Sequence, residues 1–166
     1  VSKNVLALRP PLARLGALAL LATGVLSIGP AAADPGLDAL AGTWRGSGTM
    51  SFEDGKTEGI GCTGYYKGAR SLSVVIRCKG ISSDFELRSK LEANGDQVSG
   101  TWEERTYSAS GLASGTTSAG KLDIRFSGTL TGGLELSFSS SSQSVSVSVD
   151  TKGAGIKGIR LSLGRI

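Results

Sequence analysis

The reactive side chains of this chain are few: the adjacent carboxylates Glu103 and Glu104, set between Trp102 and Arg105, and two cysteines, Cys62 and Cys78. Histidine, the commonest general base near neutral pH, does not occur in the 166 residues. Its absence removes Ser-His-Asp and Cys-His arrangements and most zinc sites. No D-x-D-x-D-G run offers a calcium loop, and no glycine-rich phosphate cradle sits at a strand-to-helix junction. Neighbouring residues of a strand point to opposite faces, so Glu103 and Glu104 cannot work together as acid and base. Glu104 shares its face with Trp102 and Val98, which directs one carboxylate inward. There it either pairs with a cation, Arg165 on the last strand being a candidate, or escapes to solvent at the strand end. The expectation is a protein that binds rather than catalyses, with no cofactor and no metal.

The cysteines are read through the compartment. Lys3, Arg9 and Arg14 precede an apolar stretch, Leu15 to Ile28, and Ala31-Ala32-Ala33 stands before Asp34. Residues 1–33 thus read as a signal peptide similar to bacterial Sec signals, sending the chain to the periplasm or beyond. The stretch falls short of the roughly 20 residues that span a bilayer, so no membrane span is expected after cleavage. In an oxidising compartment an even cysteine count reads as a disulfide, and a Cys62–Cys78 link would stabilise by roughly 3 kcal/mol. No C-x-x-C spacing suggests a redox role.

Export also changes the charge. The chain holds 18 Lys and Arg against 14 Asp and Glu. Three of those cations lie in the signal segment, so the remainder is close to neutral, and its charges stand singly, as in Glu86, Arg88 and Lys90. Nucleic-acid binding, which needs a basic face, is not expected.

What would position a site is a run of short segments with a period of two. Phe85-Glu86-Leu87-Arg88 and Val145-Ser146-Val147-Ser148-Val149 show it plainly. Strands are expected near 42–52, 58–66, 71–79, 84–92, 97–107, 111–118, 121–130, 133–140, 143–150 and 157–165. Turns such as Glu53-Asp54-Gly55, Asn94-Gly95-Asp96 and Thr131-Gly132-Gly133 separate them. Connections this short demand antiparallel neighbours. The predicted fold class is all-β: one up-and-down antiparallel barrel of about 8–10 strands over residues 41–166, after a lead-in at 34–40, with a β-sandwich as the alternative. The serine-rich stretch from Ser137 to Ser148 keeps the period through Phe138, Val145 and Val147, so it reads as strand with a mobile loop at Ser139–Gln143.

Gly-Thr-Trp occurs twice, at Gly42-Thr43-Trp44 and Gly100-Thr101-Trp102. The first copy resembles the G-x-W signature on the opening strand of calycin barrels, the lipocalin and avidin type. That resemblance implies that Trp44 closes the barrel base and that a late-strand arginine, Arg160 or Arg165, packs across it. It names no ligand.

The inward set of Met50, Phe52, Ile76, Phe85, Leu87, Trp102, Phe126 and Phe138 suits a small hydrophobic or lipid-like ligand. Trp44, Met50, Phe85, Trp102, Glu104, Phe126 and Phe138 are the candidate ligand-binding residues. The inward glycines Gly46, Gly48, Gly64, Gly100 and Gly128 are expected to leave space for it. The alternative function is a protein-interaction module, such as a periplasmic hydrolase inhibitor or envelope-integrity factor. Small secreted barrels with one disulfide resemble bacterial metalloprotease and lysozyme inhibitors in outline, and the 34–40 segment would then insert into an envelope partner. Tyr65 and Tyr107, on the presumed outer face, would anchor that partner, whereas Tyr66 falls inward by the same phase.

Overall fold

The computed structural model describes residues 36–166. The signal-peptide reading of residues 1–33 lies outside the described residues, as do Asp34 and Pro35 of the lead-in. Ten strands follow a 3-10 turn at Leu37–Leu40: β1 (Gly42–Phe52), β2 (Thr57–Lys67), β3 (Ser71–Lys79), β4 (Asp84–Asn94), β5 (Gln97–Glu104), β6 (Ala109–Ser118), β7 (Lys121–Gly128), β8 (Gly132–Phe138), β9 (Ser142–Val149) and β10 (Ile156–Arg165). Each pairs antiparallel with its sequence neighbours, and β1 also pairs with β10, from Trp44 opposite Arg165 to Phe52 opposite Ile156. The sheet is a closed up-and-down barrel, which leaves no free edge. The sandwich alternative is excluded by the β1–β10 ladder.

Alternation sets the faces. Leu72, Val74, Ile76 and Cys78 of β3 are buried, while Ser71, Ser73, Arg77 and Lys79 between them are exposed. The outer wall is therefore polar, the reverse of the outward apolar band of a membrane barrel. Among the described residues no helix is long and apolar enough to cross a membrane. Cys62 and Cys78 are directly opposed across β2 and β3, both face inward, and are joined as a disulfide.

Several strand ends differ from expectation for local reasons. The fifth strand stops at Glu104, because the Glu104 carboxylate accepts the amide N–H groups of Thr106 and Tyr107 and folds the chain back. The serine-rich segment is strand from Ser142, so the loop expected at Ser139–Gln143 is shorter. Ser139 Oγ accepts the amides of Ser141 and Ser142 in a tight turn, and Gln143 lies buried within β9.

The inward glycines do not leave space, which corrects the sequence expectation. A Cβ at Gly46, Gly48 or Gly100 would collide with the backbone of the neighbouring strand, at Ser162, Arg160 and Lys90 respectively. One at Gly128 would meet the backbone of Ser110 and Gly111, and one at Gly64 would strike the Tyr66 ring. Gly46, Gly48, Gly100 and Gly128 are glycine because neighbouring strands approach closely there, and Gly64 because the Tyr66 ring lies over it.

The two ends of the barrel are built differently. At one end, the base, the 3-10 turn lays Leu37 and Leu40 into the interior beneath Trp44, which is fully buried. Trp44 Nε1 donates to Leu40 O at 2.8 Å. The Arg165 guanidinium lies 4.3 Å from the centre of the Trp44 ring and donates to the carbonyls of Ala39, Ala41 and Ser140. The arginine across the tryptophan is thus Arg165, whereas Arg160 is exposed on the outer wall. The described part of the lead-in is a packed plug rather than a free extended segment.

Candidate functional site, an apolar cavity through the barrel

A cavity of about 260 Å³ runs from the base plug to the opposite end, the mouth. Its floor is formed by Leu40, Tyr66, Leu72 and Leu136, all buried. Its walls include Val74, Ile76, Ile124, Val145 and Ile159, and near the mouth lie Phe85, Leu87, Phe126, Leu130, Leu134 and Ile156. These mouth residues are only partly buried although they point inward, so the cavity opens at that end. The asymmetry follows from the chain: a hydrophobic plug precedes β1 at the base, and only turns cross the mouth.

Of the sequence candidates, Phe85, Trp102, Glu104 and Phe126 line this cavity. Trp102 and Phe126 meet edge to face with centroids 5.6 Å apart, and Trp102 Nε1 donates to Ser127 O. Trp44, Met50 and Phe138 do not line it, although all three are buried. Trp44 is engaged with Leu40 and Arg165 in the base, so Leu40 rather than the indole forms the floor. Period-two phase tells inward from outward, but it does not tell packed core from cavity wall at different heights. The same limit hid Leu72, Ile124, Leu134 and Val147, which belong to the lining.

The polar groups of the lining are mostly occupied by the protein itself. Ser89 Oγ donates to Thr101 O at 2.8 Å, and Thr129 Oγ1 accepts the Ser110 amide at 3.2 Å. Glu104 is 6 % exposed, and its partners are three backbone amides, those of Glu86, Thr106 and Tyr107, at 2.6–3.0 Å. Arg165, the cation considered for it in the sequence, is committed to the base at the other end. Glu104 is a turn anchor beside the mouth.

Two further carboxylates act in the same way. Glu53 accepts the amides of Gly153 and Gly155 and ties the β1–β2 turn to the β9–β10 loop. Glu58 accepts the Ser82 amide and hydroxyl and the Ser83 hydroxyl at 2.6–2.9 Å, and these bonds lower its pKa from 4.5 to about 2. On the outer wall, Arg88 and Arg77 hold Glu86 below the usual carboxylate range. The mouth is accordingly framed by turns held through carboxylate–amide bonds, which pre-organises the opening.

The two tyrosines considered as a partner surface are both exposed, but they are far apart in the topology. Tyr65 lies near the base end of β2, and Tyr107 lies in the β5–β6 turn at the mouth, where it also borders the cavity. They do not form one patch.

No protein family matches the chain in sequence, and no curated protein matches it either. Solved structures do. The crystal structure of Rv2717c from M. tuberculosis is similar with a TM-score of 0.65 at 10 % identity, over 78 % of this chain and 94 % of that one. The S-type phycobiliprotein lyase CPES from Guillardia theta is similar with a TM-score of 0.56 at 9 % identity, over 78 % of this chain and 89 % of that one. At such identities the likeness is one of fold alone, that of the closed β-barrel described above.

Proposed function

We propose that this protein is an exported binding protein that holds a small hydrophobic or lipid-like molecule inside its barrel and does no catalysis on it. The observation that carries the reading is the continuous apolar cavity with a sealed base and an open mouth. Its volume is close to the lower end of small-molecule pockets, ~300 Å³. Half-buried aromatic and aliphatic side chains around an opening are stabilised when an apolar ligand covers them, at ~25 cal/mol for each Å² removed from water. The disulfide agrees with export to an oxidising compartment, the periplasm or beyond.

The test is a fluorescence titration with the apolar dye 1-anilinonaphthalene-8-sulfonate, on the wild type and on Ala113→Phe. Ala113 is a buried lining residue, so a phenyl group there would fill the cavity. Saturable binding near one dye per chain, lost in the folded variant, supports the reading. Absence of saturable binding, or equal binding by the variant, sinks it.

A further inference from the structure

Tyr66 and Gln143 form a buried polar pair at the base end of the barrel interior. Both face inward, Tyr66 from β2 and Gln143 from β9, and they are 6 % and 2 % exposed. The phenolic oxygen is 3.0 Å from Gln143 Oε1, and Gln143 Nε2 is buried without a partner. Such a buried amide donor costs about 1–3 kcal/mol when unmet. A half-turn of the carboxamide exchanges its nitrogen and oxygen in place. Nε2 then donates to the phenolic oxygen across the same contact, Oε1 takes the unpartnered place, and the Tyr66 O–H is released as a donor.

That hydroxyl belongs to a residue of the cavity floor. Of the other polar lining residues, Ser89 donates to Thr101 O and Glu104 is taken up by backbone amides, while Thr129 and Tyr107 are exposed at the mouth and not buried in the floor. We propose that the Tyr66 hydroxyl, held by Gln143, is the polar anchor of the cavity, and that the ligand enters with a carbonyl or carboxylate oxygen leading and its apolar tail toward the mouth. The inference rests on the carrier reading above and names the ligand class: a small amphiphile carrying a terminal acceptor. Burial raises the Tyr66 pKa above its ordinary value, so the group stays a donor throughout the physiological range.

Two probes of equal shape separate the chemistry from the packing: 2-nonanone, and 2-methyl-1-nonene, in which a methylene replaces the oxygen. Affinities are measured by calorimetry or dye displacement for the wild type, for Tyr66→Phe, and for the double variant Tyr66→Phe/Gln143→Leu. The double variant removes both polar partners together and so avoids stranding either. The expected result is a loss of about fivefold to tenfold in ketone affinity in both variants, with alkene affinity held within twofold. The infrared carbonyl band of bound 2-nonanone should lie lower in the wild type than in the double variant. Equal effects on the two probes, or an unshifted carbonyl band, overturn the anchor while leaving the carrier reading standing. That outcome also follows if a buried water, rather than the ligand, satisfies Gln143. A wild type that binds neither probe overturns the carrier reading and the anchor with it.

Discussion

Replacing Gly48 by alanine tests whether the inward glycines mark close strand crossings or cavity space. The new Cβ would stand 2.8 Å from the Arg160 carbonyl carbon and 2.9 Å from Leu161 Cα, besides striking the Arg160 carbonyl oxygen. Carbon atoms in favourable contact are about 3.5–4.0 Å apart. The obstructing atoms are backbone within the β1–β10 ladder that closes the barrel, so no side-chain rotation relieves them. The strands must part by roughly 1 Å, the scale of overpacking that costs about 1–3 kcal/mol. Gly61 provides the control on β2: it faces outward, and a Cβ there meets nothing within 4 Å. Gly61→Ala should be neutral or stabilising by about 0.4–1 kcal/mol through the unfolded chain. Urea unfolding of the three proteins measures both effects, with the slope against denaturant checked for constancy. At about 4 °C per kcal/mol, Gly48→Ala should also melt roughly 4–12 °C lower. If Gly48→Ala proves as harmless as Gly61→Ala, the strands are not crowded there and the argument about glycine is wrong.

Other consequences are as direct. Arg165→Ala should destabilise by about 2 kcal/mol in urea unfolding, because it removes three charge-assisted hydrogen bonds to carbonyls and the cation over Trp44; Arg165→Lys should recover less than half, since one ammonium cannot both stack and fork. Equal stability of the lysine and arginine forms would contradict this. Reducing Cys62–Cys78 should cost about 3 kcal/mol, read as a shift of the urea midpoint with and without reductant. Two free thiols in denatured, unreduced protein would refute the link altogether. Glu58 has a depressed folded-state pKa, so its stabilising contribution is complete above about 4.5 and is lost as pH falls toward about 2. Wild type should therefore lose stability relative to Glu58→Gln across that window, and parallel pH curves would show that the Ser82–Ser83 bonds carry no weight.

The barrel was legible in the sequence because its determinants are local. Alternation in Leu72-Ser73-Val74-Val75-Ile76 assigns inside and outside, and Asn94-Gly95-Asp96 marks a tight turn, Gly95 adopting φ 64°. Gly-Thr-Trp pointed to the base, and Arg165 indeed lies across Trp44. The site was legible only in part, since it depends on depth along the barrel. Met50 and Phe126 share the inward phase, yet one is packed core and the other lines the cavity. Glu104 could not be placed from its face alone, because two of its three partners are backbone amides of a turn that the sequence extended as strand, and the third, Glu86, is on the neighbouring strand. Gln143 lay within a segment read as a mobile loop, and its pairing with Tyr66 spans 77 residues of chain. No local pattern records such a contact.

Whether the barrel holds a small molecule decides the proposed function. Native mass spectrometry of the protein, purified gently from its own host, addresses it most directly. Excess mass that disappears on denaturation is expected, from a small amphiphile with a terminal oxygen acceptor. A clean apoprotein mass that stays unchanged after incubation with host lipid extract would contradict it.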